Sequence, residues 1–518
     1  MTYKTEINIL PEYINDESYI INIAAKKLKL TPAQVTSFNI IRRSLDARKK
    51  PVYRIVIEIY VGEEPEESIE KINYIPVNNK KKVLIIGFGP AGMFAALRLI
   101  ELGIKPIIVE RGKDVQKRRR DIRALQQEHV VNPDSNYCFG EGGAGAYSDG
   151  KLYTRSNKRG NVNKVLEVFV QHGAIKDIMI DSHPHIGSNI LPKVVSNIRQ
   201  TIIENGGEIY FNSKVTDFII SQDKIKGTIV NNEKEIMGEA VILATGHSAR
   251  DIFYLLHQRN IKIEPKPFAM GVRIEHPQQL INEIQYHSKG KFENLPAASY
   301  NLSCNVDGRG VYSFCMCPGG IIVPAATAPE EIVVNGMSLS RRDSPFANSG
   351  VVVSVGENDW KRYNDQYPFN GLKLQQEIEH LAFKLANDSQ SAPAQRVTDF
   401  VDGKFSQQLP NTSYIPGLTS ARLDKELPSY ITRRIKTALF IFNKRMNGYY
   451  TEEAQIVAAE TRTSSPIRIP RNKISLMHEE IKGLFPSGEG AGYAGGIVSA
   501  AIDGENCADA VSRYLKIK

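Results

Sequence analysis

The chain is poor in the devices that would place it in several common classes. Its 518 residues include five cysteines, Cys138, Cys304, Cys315, Cys317 and Cys507, with no Cys-x-x-Cys and no Cys-x-x-x-x-Cys pair. That spacing excludes a structural zinc knuckle, a thioredoxin-like centre and the longer-spaced redox dithiol. His183-Pro-His185 has metal-like spacing but no acidic or cysteine neighbour in sequence, so no metal site is expected. No apolar run approaches the roughly 18 to 20 residues that span a bilayer. Met1-Thr-Tyr-Lys-Thr-Glu-Ile-Asn8 lacks a charged-then-apolar leader, so the expected compartment is the cytoplasm. Internal repeats and low-complexity tracts are absent. Net charge is +9, yet no stripe of interleaved basic and aromatic residues accompanies it. The excess is concentrated in Arg111–Arg123, which holds seven basic and two acidic residues. DNA is therefore not expected as a partner, and RNA enters only as an alternative motivated by this cluster.

What is present is a complete dinucleotide-binding unit between Lys82 and Glu110. Val83 to Ile86 reads as a short buried strand, Met93 to Leu102 as a helix, and Pro106 to Val109 as a second strand. Between strand and helix lies Gly87-Phe88-Gly89-Pro90-Ala91-Gly92. Gly87 permits the tight turn, Gly89 lets a pyrophosphate approach bare backbone, and Gly92 lets helix and strand pack closely. The helix N-terminus faces the phosphates. Glu110, at the end of the second strand, stands where a carboxylate accepts from ribose hydroxyls. No second Gly-x-Gly-x-x-Gly stands between a strand and a helix, so a separate NAD(P)H domain is not expected.

At the far end of the chain, Gly483-Leu-Phe-Pro-Ser-Gly-Glu-Gly-Ala-Gly-Tyr-Ala-Gly-Gly-Ile497 is a second glycine-rich turn. It runs into an apolar helix expected over Ala494–Ala510. Two helix N-termini so far apart in sequence suggest one long ligand held at both ends. A third element, Ala240-Val-Ile-Leu-Ala-Thr-Gly-His247, follows a β-meander expected over Val215–Gly238.

With these elements the chain resembles the uncharacterised bacterial FAD-dependent dehydrogenase family, related to single-Rossmann flavoproteins that include geranylgeranyl reductases. The closer match is carried by Phe139-Gly-Glu-Gly-Gly-Ala-Gly-Ala-Tyr-Ser-Asp-Gly-Lys-Leu152, Thr245-Gly-His-Ser-Ala-Arg-Asp251, Cys315-Met-Cys-Pro-Gly-Gly320, Glu460-Thr-Arg-Thr-Ser-Ser-Pro466 and the terminal glycine turn. The resemblance spans roughly residues 1 to 518. It implies FAD, with the C-terminal segment at the ribityl chain and flavin, and implies no particular substrate. Ser188-Asn189 departs from the Thr-Asp of the family pattern, so a carboxylate is missing there.

The expected fold class is α/β: a Rossmann-type FAD-binding domain with a β-meander, an inserted mixed α+β substrate domain and an N-terminal α+β module. The expected boundaries are 1–78 for the module, 79–250 and 451–518 for the FAD-binding domain, and 251–450 for the insertion. The expected cofactor contacts begin with the first turn, Gly87 to Gly92, and Glu110. Arg111 and Arg118 follow as partners of phosphates or an acidic substrate, with a solvated helix face as the alternative. Five glycines between Gly140 and Gly150 suit close approach to a planar ligand, so Gly142, Gly143 and Ala144 join them, with Tyr147 and Ser148 adding polar contacts. Val215, Ala244, Thr245 and Gly246 come from the meander and the strand after it. The second turn adds Gly488, Glu489, Gly490, Gly495, Gly496 and Ile497, where the helix dipole would face the flavin oxygen that gains charge on reduction.

No catalytic acid or base is assigned. Candidates are His247, Tyr147, Arg462 and the pair Cys315 and Cys317. Residues two apart on a strand share a face, so these two sulfurs form either a redox dithiol or covalent partner near the flavin, or a pair of buried apolar residues. The expected activity is hydride transfer between FAD and a small organic substrate, with NAD(P)H as a transient visitor. A flavin-containing RNA-binding protein and a prenyl-lipid reductase are the alternatives.

Overall fold

The computed structural model describes residues 1–64, 72–154, 159–290 and 293–516. Its centre is a five-stranded parallel sheet in the order Leu484–Pro486, Ala240–Leu243, Lys82–Ile86, Lys105–Val109 and Glu208–Tyr210. Alternation of side chains along each strand decides what covers each face. Val83, Ile85, Ile108 and Phe485 pack under the helices Pro90–Glu101, Val162–Gln171, Leu191–Glu204 and Ile497–Tyr514. Leu84, Ile86, Ile107 and Leu484 face the other way, onto the meander strands Val215–Ser221, Lys224–Val230 and Lys234–Met237 and the helix Arg250–Gln258. The first and last helices of this layer touch closely: a Cβ on Gly504 would lie 2.1 Å from the Ala91 carbonyl oxygen.

A second, seven-stranded sheet runs Ser303–Val306, Arg309–Cys317, Phe346–Val355, Phe268–Pro277, Gln455–Glu460, Ala392–Arg396 and Leu418–Ser420. The helices Asn370–Leu385 and Ser429–Arg445 contribute to the core beside it. Its strand Gln455–Glu460 lies beyond residue 450, so this sheet draws on both sides of the expected division. The last helix starts at Ile497 rather than at Ala494, because Gly495 and Gly496 remain outside it.

The N-terminal module is a three-stranded antiparallel sheet, Thr2–Ile9, Val52–Tyr60 and Ser37–Asp46, closed by the helix Glu17–Leu28. Asp16 caps that helix by accepting from the Tyr19 amide at 2.9 Å. Arg43 docks the module on the remainder of the chain through Asp181 at 2.8 Å and Asp177 at 2.7 Å. None of its described residues lines the cleft described next. Among the described residues, no helix is long and apolar enough to cross a membrane.

Candidate functional site

The carboxyl ends of Lys82–Ile86 and Ala240–Leu243 open into a cleft of about 1430 Å³, mouth included. Such a position, outside the carboxyl edge of a parallel sheet, is where doubly wound folds bind ligands. Both glycine turns converge there on one short segment, the first on Ala244 and Thr245 and the second on Gly246. Gly87 has φ +99°, and a Cβ on it would lie 2.5 Å from the Ala244 carbonyl oxygen. A Cβ on Gly490 would lie 2.4 Å from the Gly246 carbonyl oxygen. Gly246 and Gly495 behave differently, since a Cβ at either meets nothing within 4 Å. Their open space is a cradle of bare backbone. The helices beginning at Pro90 and Ile497 both start at its wall, and their N-terminal amides and dipoles suit an anionic or polarisable ligand.

Most of the expected contacts line this cleft: Gly87 to Ala91, Arg111, Ala144, Ser148, Val215, Ala244 to Gly246, Gly488, Glu489 and Gly495 to Ile497. The Gly140–Gly150 loop lies over the first turn, with the Gly142 amide donating to the Phe88 carbonyl at 2.8 Å. Gly143 reaches the cleft beside it. Gly92, Gly142 and Gly490 do not line the cleft. They allow the walls to close on one another, since a Cβ on Gly92 would lie 2.0 Å from the Gly87 carbonyl oxygen.

Two expectations are corrected. Arg118 is fully buried and does not reach the cleft. Its guanidinium donates to the carbonyls of Asn136 at 2.6 Å, Glu141 at 2.8 Å, Tyr137 at 2.8 Å and Gly143 at 2.9 Å. It is an internal strut of the glycine loop rather than a phosphate ligand, and its neighbours Lys117, Arg119 and Arg120 form an exposed helix face. Tyr147 also turns away, donating to the Val115 carbonyl at 2.5 Å with the Arg118 guanidinium 5.2 Å from its ring centre. Replacing Arg118 by lysine should cost about 2 kcal/mol, because one ammonium cannot satisfy four diverging carbonyls. A lowered denaturant midpoint with an unchanged slope would show it.

Glu110 lines the cleft, but its carboxylate already accepts three backbone amides: Phe88 at 2.8 Å, Gly112 at 2.9 Å and Gly140 at 2.9 Å. It therefore ties the first turn to the glycine loop as well as facing the ligand space. Asn189, where the family pattern places a carboxylate, accepts from the Ser340 amide at 2.8 Å and donates to its hydroxyl at 3.1 Å.

At the other end, His247, Arg462 and Cys315 line the cleft. Arg462 donates to Glu379 at 2.8 and 3.0 Å, to Glu331 at 2.8 Å and to Thr327 at 2.6 Å. Arg250 pairs with the same two carboxylates, at 2.7 Å to Glu331 and 2.8 Å to Glu379, so the cluster holds two cations and two anions. Burial, then Arg462 and Arg250, push the His247 imidazole down to about 4, which keeps it neutral at pH 7 and makes it a poor proton donor there. Glu489 is opposite in kind. Burial lifts its carboxyl to about 7, against the pull of Lys266 and with help from Cys315.

The strand Arg309–Cys317 breaks its register between Phe314 and Cys317, and Cys315 has φ +45°. This irregularity turns Cys315 to the cleft, while Cys317 stays buried and off it. Lys151 donates to both sulfurs, at 3.8 Å to Cys315 and 3.6 Å to Cys317. The pair is thus not purely apolar packing. Ser213, Cys138, Phe139, Phe314, Asn335 and Thr463 also line the cleft and were not expected there. Phe139 sits under the Arg111 guanidinium at 4.4 Å, a contact that joins residues 28 positions apart in sequence and leaves no local signal.

Models of known families match three segments of the chain. An FAD binding domain model matches residues 80–131, an FAD-dependent protein C-terminal domain-like model matches 267–463, and a domain of unknown function matches 1–60. A Clostridium beijerinckii protein described as uncharacterized is 41% identical over 505 residues, covering 93% of this chain and 94% of that protein. Among solved structures, a geranylgeranyl bacteriochlorophyll reductase-like protein from Thermoplasma acidophilum has a TM-score of 0.36 at 12% identity, over 85% of this chain and 80% of its own. A glycine oxidase from Bacillus cereus has a TM-score of 0.31 at 15% identity, over 84% of this chain and 98% of its own.

Proposed function

This chain belongs to the family of FAD-dependent proteins that includes the clostridial relative, and on that premise we propose that it is an oxidoreductase moving a hydride between FAD and a small organic substrate. The observation that carries the proposal is the meeting of two glycine turns, from opposite ends of the chain, on Ala244–Gly246. Gly87 to Ala91 would hold the pyrophosphate at the Pro90 helix N-terminus. Gly488 to Ile497 would hold the ring end at the Ile497 helix N-terminus. FAD, when bound, supplies the centre that accepts or donates hydride. The chain's own residues orient the substrate, exclude water and manage protons. In this reading residues 79–250 and most of 451–518 grip the cofactor, 251–450 with the strand Gln455–Glu460 supply most of the substrate side, and the N-terminal sheet and helix form an accessory module.

Glu489 is the proton-handling group of this reading, because it lines the cleft and its carboxyl titrates near working pH. The Glu489→Gln variant should remove an inflection near pH 7 from the rate of flavin reduction while keeping FAD bound. An inflection unchanged in the variant would assign it elsewhere. The activity itself is tested on purified yellow protein mixed anaerobically with NADPH or NADH. Bleaching of the flavin by one of them is expected, and bleaching by neither would remove nicotinamide as the electron donor.

A further inference from the structure

We propose that Cys315 is a nucleophilic thiolate at the cleft that bonds covalently to a carbonyl-conjugated alkene, with Lys151 as its counter-ion. The inference rests on reading the cleft as the substrate site. Cys315 is half-buried and lines the cleft, whereas Cys317 is sealed beneath it. The break in strand register brings both sulfurs to one ammonium, Lys151, at 3.8 and 3.6 Å. A shared cation favours one thiolate and one thiol over two thiols. The neighbouring Cys317 thiol and the Lys151 ammonium hold the Cys315 thiol well below the usual range while Cys317 is held well above it, and the Cys317 sulfur donates to the Cys315 backbone carbonyl at 3.3 Å.

Charges reach this pair from every element packed on it. Lys151 and Arg273 favour the Cys315 anion, and the Arg273 guanidinium donates to the Cys315 carbonyl at 3.3 Å. Asp149, Glu460 and Glu489 oppose it. Asp149 is itself engaged by Arg342 at 2.7 Å and lies 3.5 Å from Lys151. Arg273 is paired with Glu460 at 2.8 Å. The ammonium of Lys151 is therefore the cation that faces the sulfur directly.

The ligand class follows from what stands beside the sulfur. Asn335 lines the same end of the cleft. Its carbonyl oxygen accepts from Arg273 at 3.2 Å and from the Gly336 amide at 2.7 Å, which fixes the amide and leaves its NH₂ to donate to a ligand carbonyl. A soft anion next to a carbonyl-oriented donor matches an alkene conjugated to a carbonyl. The sulfur electron pair forms the C–S bond at the β-carbon. The alkene pair moves onto the carbonyl oxygen held by Asn335, and the resulting enolate takes one proton from solvent. No electron is gained or lost overall, and Lys151 passes from the Cys315 anion to its remaining partners.

The test uses the flavin-loaded full chain, N-ethylmaleimide as the conjugated probe, and peptide mass spectrometry of all five cysteines. At about pH 6 an ordinary thiol is roughly 0.3% ionised, so reaction there reports a stabilised thiolate. Cys315 should react at least about tenfold faster than Cys138 or Cys304. Lys151→Met should slow Cys315 at about pH 6 by about tenfold or more and much less at about pH 9, where any thiol ionises. Cys317→Ser should leave Cys315 as the modified site. Cys315 reacting no faster than Cys304 in protein with a normal flavin spectrum would overturn the proposal, as would a Lys151→Met variant with full FAD content and an unchanged rate at about pH 6. Colourless protein would instead overturn the flavoenzyme reading, so the two failures are distinguishable.

Discussion

Gly490→Val protein is expected to purify folded but colourless. The new side chain would begin 2.4 Å from the Gly246 carbonyl oxygen, 2.6 Å from the Gly246 carbonyl carbon and 2.9 Å from its amide nitrogen. All three are backbone atoms, so no side chain can swing aside. The second glycine turn would have to lift off Ala244–Gly246, against which the first turn also packs through Gly87. Overpacking of this kind costs about 1–3 kcal/mol, which a chain of this size can survive. The loss falls on the ligand, because both ends of its cradle are set by that contact. Bound FAD per chain should fall at least about tenfold, equivalent to about 1.4 kcal/mol of binding. Visible absorbance after gel filtration measures it, with circular dichroism and a thermal melt to show that the fold persists. Gly495→Ala is the control for direct approach of the ligand, since a Cβ there meets no protein atom within 4 Å. That variant should melt with the parent and lose FAD only to the extent that the cofactor comes close to Gly495. Full FAD content in Gly490→Val would refute the two-ended grip.

The second large effect is expected from Arg462→Met. Removing this guanidinium leaves Glu331 and Glu379, both buried, with Arg250 as their remaining cation among the described residues and the Thr461 hydroxyl on Glu379. A buried carboxylate stripped of one partner is strongly unfavourable, and breaking such a pair typically costs about 3–5 kcal/mol. The Tm of the variant should fall by several degrees. The pH dependence follows from Glu379. Burial alone would raise its carboxyl, but Arg250 and Arg462 outweigh burial and hold it at about 2. A carboxyl depressed in the folded state stabilises above its unfolded value of roughly 4.3 and loses that contribution as pH falls toward 2. The difference between parent and variant should therefore be greatest near neutrality and shrink below about pH 4. A gap that stays constant down to about pH 2.5 would mean that the cluster is held by packing rather than by charge.

Much of the fold was legible because its signals are local. Val83 to Ile86, the glycines after them and the apolar helix that follows lie within about twenty residues, and each residue type answers to the backbone it must adopt. The N-terminal module was legible as α+β for the same reason, and the structure gives it as strand, helix, strand, strand.

The misread residues share a different property: their roles depend on partners far away in sequence or on which way one side chain turns. Arg118 follows Glu110 in a basic run and looks like a phosphate ligand. Only the return of the loop Asn136–Gly143 over it supplies four carbonyls and buries the charge. Tyr147 turns toward that same strut and away from the cleft. Cys315 and Cys317 alternate on a strand, which predicts a shared face, yet the register break sends one to the cleft and the other to the interior. Lys151, more than 160 residues earlier, then couples them.

Sequence alone determined that this chain makes a Rossmann unit, closes it with a second glycine turn and carries FAD, because glycine spacing and apolar periodicity act through neighbouring residues. Tertiary structure decided which polar groups face the cofactor space and which brace its walls. The physical reason is desolvation: a guanidinium or thiol acquires its character from the carbonyls, carboxylates and ammonium groups that burial brings to it, and these arrive from distant parts of the chain.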